Sequence, residues 1–159
     1  MSEKITFTVN GKERTVELEK KKKAIDLLRE DLGLTGTKRG CDDASCGACV
    51  IVIDGEAKKS CVLPAKKLDG TEVTTVEGLA RGKQLHPIQN ALIEAGAVQC
   101  GYCMPGIIME LFALFEADPA ADEAQIVNAL DKHLCRCTGY EAILKGALQA
   151  QQKIAAGAE

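Results

Sequence analysis

The sequence has no tryptophan, and only three phenylalanines and two tyrosines among 159 residues, so any core it builds must be aliphatic. It has no apolar run close to the ~18 residues that a membrane-crossing helix needs. Its opening, MSEKITFTVN, lacks a basic stretch followed by an apolar one, so export by an N-terminal signal is not expected and a cytoplasmic location is. Neither sign of charge dominates. With 20 basic and 23 acidic side chains the net charge is -3, which offers no electrostatic footprint for nucleic acid or an anionic membrane. A Ser–His–Asp set, a glycine-rich phosphate loop and a paired-carboxylate motif are also missing, so no substrate pocket is expected in this chain. Hydrophobic residues at 46% and charged residues at 27% nevertheless place it among globular proteins.

What the sequence has in excess is cysteine, eight in all. Cys41, Cys46, Cys49 and Cys61 read C-x4-C-x2-C followed by a fourth cysteine; Cys100, Cys103, Cys135 and Cys137 read C-x2-C, a long gap, then C-x-C. Three chemistries compete for them. Disulfides suit small exported domains, and this chain has neither an export signal nor a need for staples. Zinc suits four thiolates in a tetrahedron and fits the second set better than the first. Two [2Fe-2S] clusters would use all eight, and the first spacing is that of plant-type ferredoxins. A rhombic cluster takes three ligands from one loop folded around it and a fourth from a separate element. The loop from Gly40 to Cys49 is built of small residues that let backbone N–H groups approach the sulfurs.

The pattern along the chain divides near residue 77. Ile5, Phe7 and Val9 alternate along a strand from Lys4 to Asn10, Asn10-Gly11 marks a hairpin, and Thr15 to Leu18 returns. Ala24, Leu27, Leu28 and Leu32 recur at helical spacing before Gly33. Val50 to Ile53 and Glu72 to Val76 supply further strands, with Asp54-Gly55 as a second hairpin turn. Hairpin, helix and closing strands outline a β-grasp domain over residues 1–77. The run Lys20 to Lys23 reads as a solvated face.

Beyond a linker at Gly78 to Lys83 the pattern is helical. Pro87 opens a helix through Gly96, Pro105 a second through Asp118, Asp122 caps a third to about Leu134, and a T-x-x-E box at Thr138 opens a fourth through Ile154. Four helices with short connections predict a four-helix bundle over 78–159, making the chain α+β. Cys100 and Cys103 then precede the second helix, and Cys135 and Cys137 the fourth. The two pairs meet if those helix N-termini converge, where anionic thiolates are favoured.

Taken together, GCDDASCGAC, VQCGYCMPG and LCRCTGY resemble the small iron–sulfur subunit of the xanthine oxidase family of molybdenum hydroxylases, over nearly the whole chain. The resemblance implies a plant-ferredoxin-like domain followed by a helical one, each with one [2Fe-2S] cluster. It also implies a role in electron transfer beside a large molybdopterin-binding subunit and an FAD-binding medium subunit or domain. It assigns Cys41, Cys46, Cys49 and Cys61 to the ferredoxin-type cluster and Cys100, Cys103, Cys135 and Cys137 to the helical one. Gln99 matches a glutamine that hydrogen-bonds the pterin, and Cys137 the ligand lying closest to it. Met104 departs from the family, which more often has Thr or Ser there. A free-standing two-cluster carrier is the alternative function, and a zinc-stabilised interaction protein a third. Of the remaining residues, His86 and His133 read as caps or surface groups, Phe112 and Phe115 as core, and Tyr102 as packing or a shield over a cluster loop.

Overall fold

The computed structural model describes residues 3–18 and 21–157. Strands β1 (Glu3–Val9) and β2 (Lys12–Leu18) form the first hairpin, turning at Asn10 and Gly11. A short helix, α1 (Ala24–Asp26), continues as a π-helical turn over Leu27–Asp31. Strands β3 (Val50–Ile53) and β4 (Glu56–Lys59) make the second hairpin, and β5 (Glu72–Thr74) closes the sheet. The order is β2-β1-β5-β3-β4, with β1 and β5 parallel and the other pairs antiparallel.

The alternation of β1 points Ile5, Phe7 and Val9 inward onto Leu27, Leu28, Leu68 and Val73. The expected helix in the twenties is thus short and partly π-helical, and it still buries Ala24, Ile25, Leu27 and Leu28. The last strand stops at Thr74, because the Thr75 N–H leaves the ladder for the Asn10 side chain at 2.9 Å and the chain turns into a 3-10 helix over Val76–Gly78. In the lysine run, Lys20 lies outside the described residues, Lys21 is exposed, and Lys22 and Lys23 pair with Asp31 and Asp42.

The helical half comprises α2 (Pro87–Glu94), α3 (Met104–Ala117), α4 (Glu123–Leu130) and α5 (Glu141–Ala155). Helix α2 lies along α5, and α3 packs on α4 and on strand β3. All four residues of β3 are buried. Ile51 and Ile53 enter the β-grasp core, while Val50 and Val52 face the other way and join Ile107, Leu111, Ile126 and Ile143. One strand therefore serves two cores, and the helical half is seated on the sheet.

Two expectations about helix ends are corrected. Helix α4 ends at Leu130, so that 131–134 form a turn reaching the first cysteine loop. Helix α5 has Tyr140 as its N-cap, with no side-chain cap. The Thr138 hydroxyl is engaged instead with Cys135 Sγ at 3.1 Å and the Tyr140 N–H at 3.2 Å, so the T-x-x-E box does not form. Pro87 takes the expected first position of α2, behind a His86 capping box, and the cap expected at Asp122 forms as a reciprocal box with Gln125.

Candidate iron–sulfur sites

The first cysteine loop curls because Asp42, Ala44 and Gly47 all take left-handed backbone angles, with φ of 89°, 68° and 77°. The curl aims the N–H of Cys46 at the Cys41 sulfur and that of Ala48 at Cys46, and from outside the loop the Cys61 N–H meets the Cys49 sulfur. Arg39 braces the loop by pairing with both Asp26 and Asp42. Cys61 reaches the site from the segment after β4, where the Ser60 hydroxyl donates to the Cys49 carbonyl at 2.7 Å.

The thiols of this set meet in two pairs, Cys41 with Cys46 and Cys49 with Cys61. Their protonation tendencies diverge. The Cys46 N–H pulls the Cys41 thiol down to about 6, whereas burial pushes Cys49 up to about 11. Burial also raises Cys46.

The second set gathers at the start of α3 and on the turn before α5. Cys103 is the N-cap residue of α3 and touches Cys135, while Cys100 touches Cys137. Burial pushes Cys103 up to about 12. Burial also acts to raise Cys135, but hydrogen bonds from the Thr138 side chain and backbone outweigh it and lower that thiol. Cys137 is raised by its contact with Cys100. Cys49, Cys61 and Cys103 are buried, and Cys100 and Cys137 are exposed.

All eight cysteines are free thiols, which leaves the disulfide reading without support. Within each set the thiols meet as two pairs. Among the described residues, no three His, Cys, Asp or Glu side chains converge on a point suited to a single ion. Four thiols in two pairs, with backbone N–H groups aimed at sulfur, fit a two-iron cluster better than one tetrahedral zinc.

The two sites are joined by one backbone and one side-chain hydrogen bond. Leu134 donates its N–H to the Cys46 carbonyl at 3.0 Å, and Tyr102 donates its hydroxyl to the Arg39 carbonyl at 2.6 Å. Tyr102 is 48% exposed, so it ties one loop to the other more than it shields either. Gly106 in α3 lies so close to Gly47 that a Cβ there would overlap the Gly47 carbonyl oxygen. Gln99 is exposed beside Cys100.

His86 behaves as the sequence suggests, capping α2 through Nδ1 and meeting Phe112 edge-on at 5.6 Å. Phe115 is core and Phe112 is half-buried. His133 does not behave as a surface group. It is 2% exposed, because the turn after α4 folds inward against α3 and the Gly47 loop. Its partner Glu110 lies among the apolar residues of the buried face of α3, and that break in the helix pattern is the sequence signal for a buried polar contact.

Comparison with known proteins agrees with this architecture. Residues 7–80 match the family described as a 2Fe-2S iron–sulfur cluster binding domain, and residues 75–148 that described as a [2Fe-2S] binding domain. The chain is 42% identical to the nicotine 6-hydroxylase small subunit of Paenarthrobacter nicotinovorans, over 94% of this chain and 90% of that one. It is 41% identical to the nicotinate dehydrogenase small FeS subunit of Eubacterium barkeri, over 86% of this chain and 87% of that one. Quinoline 2-oxidoreductase from Pseudomonas putida 86 superposes with a TM-score of 0.93 at 35% identity, covering 99% of each chain. Two [2Fe-2S]-binding regions in tandem, on a fold shared along nearly its whole length with these relatives, show that the chain belongs to the small iron–sulfur, electron-transfer subunits of the xanthine oxidase family of molybdenum hydroxylases.

Proposed function

We propose that this chain relays single electrons between a molybdopterin cofactor held by a large partner subunit and FAD held by a medium subunit. In this reading residues 1–77 are a ferredoxin-like domain whose cluster is held by Cys41, Cys46, Cys49 and Cys61. Residues 78–159 are a four-helix-bundle domain whose cluster is held by Cys100, Cys103, Cys135 and Cys137. The observation that carries it is the gathering of eight thiols into two sets joined by the Leu134–Cys46 hydrogen bond. When bound, each [2Fe-2S] cluster supplies a one-electron redox couple.

The chain's own groups prepare both sites. Backbone N–H groups aimed at sulfur stabilise the thiolate form that binds metal. The buried side chains of Cys49, Cys61 and Cys103 keep water from one side of each site. Toward solvent, Gln99, Cys100, Tyr102, Leu134 and Cys137 form an exposed rim. The Gln99 amide carries both donors and an acceptor, which suits the polar edge of a pterin. That rim is the face toward the large subunit, and Cys137 is the thiol nearest its cofactor. Among the described residues no helix is long and apolar enough to cross a membrane, and the complex is proposed to work in the cytoplasm.

Native purification from a host expressing the complete complex tests this. Co-migration with two larger chains, one carrying molybdopterin and one FAD, is the expected result. A chain that elutes alone with its clusters loaded would instead be a free-standing carrier.

A further inference from the structure

Between the two thiol sets lies a polar cluster that the cysteines do not account for. Glu110, on α3, is 7% exposed, and His133 is 2% exposed. The Glu110 carboxylate accepts a hydrogen bond from Lys132 Nζ at 2.6 Å on one oxygen, and the other faces His133 Nε2 at 3.6 Å. Neither imidazole nitrogen has a hydrogen bond. A buried polar group left in that condition forfeits its hydration without a replacement partner. An apolar side chain of similar size would avoid the cost, so the presence of an imidazole here calls for a reason.

The neighbours supply one. Gly47, between Cys46 and Cys49, packs its Cα against the His133 ring: a Cβ built there would overlap Nδ1 and lie 2.7 Å from the Lys132 carbonyl oxygen. The next residue, Leu134, donates to the Cys46 carbonyl. One carboxylate from α3 thus holds Lys132 by a hydrogen bond and faces the ring of His133, the next residue, and their turn grips the first cysteine loop. Cys135 follows two residues later.

From this juxtaposition we propose that His133, anchored by Glu110, is a positioning residue that locks the Cys46–Gly47 loop to the Cys135 turn and thereby sets the separation and orientation of the two clusters. The proposal rests on the cluster assignment above. The carboxylate is suited to the task. Burial acts to raise its pKa, but the contacts with His133 and Lys132 outweigh it, so Glu110 remains ionised as a fixed anchor. Lys132 is half-exposed and contributes its charge and a backbone carbonyl, whereas the side chain packed on Gly47 is that of His133.

The test uses the assembled holoenzyme with both clusters reduced. The magnetic splitting between the two paramagnets depends steeply on their distance and angle and is read by low-temperature electron paramagnetic resonance. In His133→Ala and Glu110→Ala we expect the resolved splitting to be lost or smeared, with iron per chain unchanged. His133→Gln, whose amide can still face Glu110, should keep it. A residue needed only for stability would lower the melting temperature of all three without moving the splitting. Unchanged splitting in His133→Ala at full iron content overturns the proposal. Absence of clusters in the unaltered enzyme would instead overturn the cluster assignment. Should both alanine variants lose iron, amide hydrogen exchange in the unaltered holoenzyme decides. Peptides covering 45–49 and 131–135 should open together at one rate, and independent, faster exchange of the Gly47 segment rejects the lock.

Discussion

Leu134 donates its backbone N–H to the carbonyl of Cys46 at 3.0 Å, so one hydrogen bond and one peptide group connect a cysteine of the first set to Cys135 of the second. Both partners are main-chain atoms, and the link therefore survives any substitution at Cys46 that keeps the loop folded. This makes the two sites separable by chemistry while they remain tied in space.

Metal content comes first. Anaerobically purified protein should hold about four iron and four inorganic sulfide per chain, as two [2Fe-2S] clusters require. Reduction should bleach the colour and give two distinct paramagnetic signals, because the first set sits in a curled loop and the second at the start of α3. Stoichiometric zinc with little iron would reject this.

Cys46→Ser should cost the ferredoxin-type cluster and spare the other, and Cys103→Ser should do the reverse. Iron analysis and spectroscopy of each variant provide the check. Loss of both signals from a folded single variant would show that the sets are not independent.

Thiol reactivity should follow the local fields in iron-depleted protein. Cys41, held at about 6, is largely thiolate at pH 7, while Cys49 at about 11 and Cys103 at about 12 stay protonated and buried. Cys41 should therefore be alkylated first, and its rate should fall as pH drops through about 6, where the thiolate is protonated. Peptide mapping by mass spectrometry after timed alkylation measures the order; equal rates at the three sites would contradict it.

Gln99→Ala should weaken cofactor binding or slow the first electron transfer, with iron content near normal. One lost hydrogen bond to a buried polar edge is worth about 1–3 kcal/mol, so the effect is partial. Rapid-freeze kinetics on the assembled enzyme is the measurement, and unchanged cofactor occupancy with unchanged reduction of the helical cluster would remove Gln99 from the contact.

Gly106→Ala should destabilise the seat between the halves. Its Cβ would overlap the Gly47 carbonyl, which belongs to backbone and cannot rotate away. Overpacking of this kind costs about 1–3 kcal/mol, read as a lower melting temperature than that of an Ala substitution on the exposed face of α2. Equal melting temperatures would mean that the loop moves freely.

Much of this protein was legible in one dimension because its signals are local. The alternation of Ile5, Phe7 and Val9 depends on the two-residue period of a strand, and the start at Pro87 and the cap at Asp122 depend on neighbours within one turn. Cysteine spacing is local too, since three ligands drawn from one loop must lie close in sequence. What tertiary structure alone decided involves partners distant in the chain. The continuous apolar run of β3 does not say which residues face which core; the docking of α3 sends Val50 and Val52 one way and Ile51 and Ile53 the other. His133 carries the same lesson: nothing beside it in sequence buries an imidazole. It is buried because Glu110, 23 residues earlier on α3, and Gly47 close on it from two sides when the helical half seats on the sheet.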